Sequence, residues 1–113
     1  GAGKARHFEH RVAGVDANPY LVAAVTLGAA LDGIENAMEP ASPIVGNAYA
    51  VDGLPQIPDS WEAAIDALEG SSIVPRFLHP EMIKNLISTK RQELHYIAEL
   101  TEAEKVELYL DTV

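Results

Sequence analysis

Apolar and polar positions change period several times along the chain. From Arg6 to Val12 they alternate singly. His7, Glu9 and Arg11 fall on one side of an extended segment, and Phe8, His10 and Val12 on the other, which is the period of a strand. A turn around Gly14 follows, and then Asn18-Pro19. Asn caps free helix N–H groups and Pro fits the first helical position, so a helix is predicted over 19–36. Leu21, Val22, Ala24, Val25, Leu27, Ala29 and Leu31 cover every face of it, a pattern that predicts burial on most sides. Gly28 costs that helix about 1 kcal/mol against Ala and reads as a close packing contact. Pro40 and Pro43 are expected to end the element.

Residues 39–58, with Pro40, Pro43, Pro55 and Pro58, read as an irregular loop in which Tyr49 packs on the helices. Asp59 and Glu62 have capping-box spacing, and Trp61, Ala64, Ile65 and Leu68 recur at helical intervals, so a second helix is expected over 60–69, stopped by Gly70. Pro80 opens a third over 80–98, with Met82, Ile83, Leu86, Ile87, Leu94 and Ile97 as its apolar stripe. Lys90, Arg91 and Glu93 lie off that stripe, toward solvent or another chain segment. Thr101 and Glu104 form a second capping box for a last helix over 101–110, which uses Val106, Leu110 and Tyr109. The predicted fold is mainly α with a single N-terminal strand. A lone strand cannot satisfy its own backbone groups, so its partners are expected elsewhere.

Charge narrows the chemistry. The net charge of −9 argues against nucleic acid, which needs a basic face. No Lys or Arg lies between Val12 and Pro75, and Lys4, Arg6 and Arg11 make one cationic island near the start, suited to a small anion or to pairing with Glu9 and Asp16. The apolar run from Tyr20 to Leu31 is too short for a membrane span. Gly1-Ala2-Gly3, without Met or an apolar run, leads to the expectation of no signal peptide, and the absence of cysteine mildly supports an expected cytoplasmic origin. On the predicted strand Glu9 is flanked at i±2 by His7 and Arg11, either an ion-pair ladder or part of a site. Zinc held by His7, Glu9 and His10 is disfavoured because His10 would face away from Glu9.

The order of these residues adds a further reading. Glu9-His10-Arg11, then Ala17-Asn18-Pro19-Tyr20-Leu21 and Gly33-Ile34, resembles the C-terminal part of the glutamine synthetase family. The resemblance continues through Asn47-Ala48-Tyr49, Leu54-Pro55, Ser60-Trp61-Glu62-Ala63-Ala64 and Lys90-Arg91-Gln92-Glu93 to Tyr109-Leu110-Asp111-Thr112-Val113. It implies that residues 1–113 are the C-terminal part of an α+β catalytic domain. It also implies an ATP-dependent ligase that joins glutamate to ammonia or an amine as a γ-glutamyl amide, with Mg2+ or Mn2+, in a homo-oligomer whose sites lie between adjacent subunits. By the same resemblance Glu9 is a metal ligand and Arg11 contacts the phosphoryl or glutamyl group. Lys4, five residues before that Glu, faces nucleotide phosphate. His7 stands at a nucleotide-side position where the family has Arg, and a neutral imidazole attracts phosphate less. Some bacterial members carry a nucleotidylated tyrosine at the position of Tyr49, but Ala50-Val51-Asp52-Gly53 depart from that pattern. Glu9-His10-Arg11-Val12-Ala13-Gly14 looks more like the branch that uses larger amines, such as the γ-glutamylputrescine synthetases. The alternative is a free-standing acidic helical module that binds a protein partner. A parent reading frame with carboxylate-bearing strands upstream would favour the ligase.

Overall fold

The computed structural model describes residues 3–5, 7–14 and 16–112. Four helices carry the fold: α1 (Pro19–Glu35), α2 (Trp61–Glu69), α3 (Pro80–Ile97) and α4 (Glu102–Thr112). Short 3-10 turns lie at Gly3–Ala5, Ala48–Ala50 and Val74–Arg76. All four expected helices are present, with ends shifted by at most two residues.

The expected strand is not. Residues 7–12 have no regular structure and are exposed, and no strand occurs among the described residues. Arg6, its first residue, lies outside them. The side-chain alternation is that of a strand, but a strand exists only when its N–H and C=O groups find a neighbour, and none of the described residues pairs with this segment.

The helix starts follow local chemistry. The Asn18 side chain accepts from the N–H groups of Tyr20 and Leu21 at 3.0 and 3.2 Å, with Pro19 at the first helical position. At α2 the cap is Ser60 rather than Asp59: Ser60 Oγ accepts from Ala63 N–H at 3.2 Å, which moves the start by one residue. At α3 His79 is the cap, its Nδ1 accepting from Glu81 N–H at 3.2 Å. The box at α4 forms as expected. The carboxylate of Glu104 accepts from Thr101 N–H at 2.8 Å and from its hydroxyl at 2.6 Å. Those two bonds hold the Glu104 pKa below the usual carboxylate range.

α1 stops before Pro40. Ala37 N–H donates to Ile34 C=O at 3.2 Å and Met38 N–H to Gly33 C=O at 2.9 Å, a complete Schellman closure. Ala37 takes the left-handed position at φ 47°, where glycine is the usual occupant. The prolines act downstream of an end already made.

The core lies between α2 and α3. Ile65 from α2, Leu78 from the connector and Ile83 from α3 are its buried apolar residues. Arg91 clamps the pair, donating to Asp66 at 2.8 Å and to Glu69 at 2.5 Å across from α3 to α2. The hydrogen bond to Asp66, then that to Glu69, raises its pKa further. Lys90 pairs with Glu93 at 2.8 Å and lies 5.1 Å from the centroid of the Trp61 ring. Glu93 in turn accepts from Tyr109 Oη at 2.9 Å. Lys90, Arg91 and Glu93, expected to face outward, therefore tie three helices together.

α1 rests on the connector before α3. Gly28 is its buried residue, and a Cβ there would come under 3.0 Å from Phe77. Arg76 closes the same contact through its ion pair with Asp32, whose side chain is nearly buried. The close approach expected at Gly28 is thus present, whereas burial on most sides is not. Tyr20, Leu27, Leu31 and Ile34 are exposed, because among the described residues only the Phe77 segment packs against this helix in force. Tyr49, expected to pack on the helices, is fully exposed at the tip of its turn.

Candidate active-site segment

The residues expected to carry chemistry lie on one stretch ahead of α1. Lys4 sits in the Gly3–Ala5 turn and is exposed. His7 follows, its Nδ1–H donating to Ala5 C=O at 2.9 Å. A carbonyl oxygen can only accept, so Nδ1 carries the proton of this bond. Two residues on, Glu9 Oε1 and Arg11 Nη2 form an ion pair at 2.8 Å. The two side chains keep 61% and 81% of their exposure, so water screens the pair and it adds little stability. Neither group is committed to a packed core, and both are accessible to a ligand.

Downstream, the turn is built tightly. Ala17 N–H donates to Gly14 C=O at 3.2 Å, and a Cβ at Gly14 would meet Asp16 Oδ1 at 2.8 Å. The Asp16 carboxylate can swing aside, so the contact does not by itself require glycine. The turn delivers the chain to the Asn18 cap, and an apolar hollow lined by Ala13, Gly14, Val22, Thr26 and Leu27 runs along its inner side. The Glu9–Arg11 segment lies seven residues ahead of the Asn18 cap in the chain.

The structure brings Glu9 and Arg11 together. It does not bring His7, Glu9 and His10 into a cluster: among the described residues no group of three or more His, Cys, Asp or Glu side chains is placed to hold a metal ion. A hard divalent cation takes six or more oxygen ligands. Glu9 fits as one carboxylate among several contributed from elsewhere, and these residues do not amount to a complete site.

Comparison with known proteins decides the family. Residues 1–109 match the family described as glutamine synthetase, catalytic domain. The chain belongs to the glutamine synthetase family. It is 34% identical over 116 aligned residues to the glutamine synthetase of Aquifex aeolicus, covering 96% of this chain and 25% of that protein. It is likewise 34% identical to the glutamate–isopropylamine ligase of a Pseudomonas species, over 99% of this chain and 25% of the ligase. A γ-glutamylethanolamide synthetase of Streptomyces coelicolor matches at 34% over 83% of this chain and 20% of its own length. The chain spans about a fifth to a quarter of the length of these relatives. No solved structure matches.

Two features escaped the sequence reading. The His79 cap has an imidazole acceptor where Ser, Thr, Asp or Asn is the usual signal. The Glu93–Tyr109 bond joins residues sixteen positions apart. The three-residue spacing of Lys90 and Glu93 signals their own pairing, but nothing local points to Tyr109.

Proposed function

We propose that this chain is the C-terminal part of the catalytic domain of a ligase that uses ATP and Mg2+ or Mn2+ to form a γ-glutamyl amide. The observation that carries the reading is the match to the glutamine synthetase catalytic domain over residues 1–109, with Glu9 and Arg11 paired on an accessible segment. Glu9 is one oxygen ligand of the divalent cation, which when bound neutralises charge between nucleotide phosphates and the acceptor carboxylate. Arg11 supplies a planar, permanently charged donor to the phosphoryl or glutamyl oxygens. Lys4 and His7 lie on the nucleotide side. The 2.8 Å pair between Glu9 and Arg11 orients both side chains before substrate arrives, and exchanging that contact for ligand contacts costs little because the pair is solvated. The missing ligands come from the rest of the ligase and from an adjacent subunit of a cytoplasmic homo-oligomer. The family match favours this reading over that of a free-standing interaction module.

The acceptor is a small amine rather than ammonia. The Glu9-His10-Arg11-Val12-Ala13-Gly14 pattern supports this reading, and the relatives include ligases named for isopropylamine and ethanolamide chemistry alongside glutamine synthetases at 31–40% identity. The test is ATP-dependent phosphate release by the full-length ligase with glutamate and either ammonia or a panel of alkylamines and diamines. The expected result is a kcat/KM for the best amine at least about tenfold above that for ammonia, a transition-state difference of about 1.4 kcal/mol. A preference for ammonia contradicts the amine assignment. No glutamate-dependent phosphate release with any acceptor contradicts the ligase reading. The 113-residue chain alone is expected to show no turnover, and turnover by it would contradict its assignment as one part of a shared site.

A further inference from the structure

The first turn of α3 is capped by a ring that can be protonated. His79 Nδ1 accepts from the Glu81 N–H at 3.2 Å, and Pro80 occupies the first helical position. The N–H groups of Met82 and Ile83 turn back to the His79 C=O instead, at 2.9 and 3.2 Å. Of the donors in this turn, the Glu81 N–H is thus the one that depends on the imidazole. The caps of α1 and α2 differ: the Asn18 carbonyl oxygen and Ser60 Oγ accept there, and neither takes up a proton near neutral pH. Core residues flank the His79 cap on both sides, with Leu78 just before it and Ile83 one turn after it.

We propose that His79 makes the start of α3 sensitive to protons: the cap holds while the ring is neutral and opens when the ring is protonated. The proposal stands on bonds within one helical turn and does not depend on the ligase reading. An Nδ1 that accepts a hydrogen bond carries no proton, so the ring proton is on Nε2. A second proton goes to Nδ1 and sets a donor against the Glu81 N–H. The new positive charge also lies at the positive end of the helix. Imidazoles take up that proton between about pH 5 and about pH 8. Glu81 from α3 and Tyr20 from α1 are the titratable groups that line one hollow with the ring. The Glu81 carboxylate attracts an imidazolium, but it does not give the Glu81 N–H an acceptor. Acid therefore loosens the turn that sets Leu78 and Ile83 in the core.

Hydrogen exchange of the full-length protein, resolved to single amides, tests this. Protection is taken relative to an unstructured amide at the same pH. At Glu81 it is expected to fall by about fivefold or more between about pH 8 and about pH 5. The Ala63 amide, held by Ser60 Oγ, is expected to keep its protection. His79→Asn keeps a capping acceptor that does not titrate, and is expected to abolish the fall at Glu81. Protection at Glu81 that stays level with pH in the wild type overturns the proposal. So does a fall of the same size in His79→Asn, or an equal fall at Ala63.

Discussion

Ala37 shows how one residue can stand against an otherwise well-formed motif. Both hydrogen bonds of the α1 Schellman closure are made, yet the position at φ 47° is filled by a residue with a Cβ. A left-handed conformation costs an L-residue about 1–2 kcal/mol, and glycine avoids most of that. Ala37 is exposed, so no packing is lost on removing its methyl. Ala37→Gly is therefore expected to stabilise the chain by about 1 kcal/mol, seen as a rise of a few degrees in the thermal midpoint followed by circular dichroism. A fall in the midpoint would show that the closure does not govern the helix end. Glu93 is the opposite case, a residue held by all its neighbours. Partial burial pushes its pKa up, but the bonds from Lys90 and Tyr109 outweigh that and leave it below the ordinary carboxylate value. The same partial burial, with the Glu93 contact and the charge of Asp16 adding to it, pushes the Tyr109 hydroxyl above its ordinary value, so it remains a donor at neutral pH.

At the scale of elements, packing is carried by one close pair and one notch. α2 and α3 share the core, and α1 is held by the fit of the Phe77 ring over Gly28. Gly28→Ala improves helix propensity by about 1 kcal/mol but drives a methyl into that ring, at a cost of about 1–3 kcal/mol or more. The net effect is expected to be destabilising, with α1 amides losing protection while α2 and α3 keep theirs. Unchanged protection in α1 would mean that Phe77 turns aside freely. The helices were legible because each is written locally: Asn18-Pro19, Pro80, the Thr101–Glu104 box and the apolar stripes of α2 and α3 all act within a few residues. The strand was not, because pairing is a property of two segments and alternation in one of them cannot supply the other. The roles of Arg91 and Glu93 were hidden for the same reason, since their partners Asp66, Glu69 and Tyr109 lie 16 to 25 residues away. At the candidate site, spacing singled out Glu9 and Arg11 and offered their pairing as one reading, and the structure forms that pair in the open.

The whole molecule is more open than its mass requires. Its accessible surface is 9752 Å², against about 6,000 Å² for a compact protein of 12.1 kDa. Its radius of gyration is 17.4 Å, against about 13 Å for a compact chain of this length. The excess includes the apolar faces of α1 and the long exposed loop between α1 and α2. An acidic fold with so small a core is marginal alone. Its bare apolar faces agree with the proposal that it is one part of a larger catalytic domain, in which exposed Glu9 and Arg11 contribute to a site that other parts complete. That is the central claim, and metal dependence in the full-length ligase tests it most directly. Glu9→Gln keeps the shape of the side chain and removes its charge, whereas Arg11→Lys keeps the charge and loses the planar donor pair. Activity is to be measured across a Mg2+ or Mn2+ series for both variants. The expected result is a loss of about 10²-fold or more in Glu9→Gln that recovers in part at high metal, and a loss in Arg11→Lys that excess metal does not restore. Near-normal turnover of Glu9→Gln at low metal, or a fall in thermal stability in both variants with no metal-dependent recovery in either, would contradict the account.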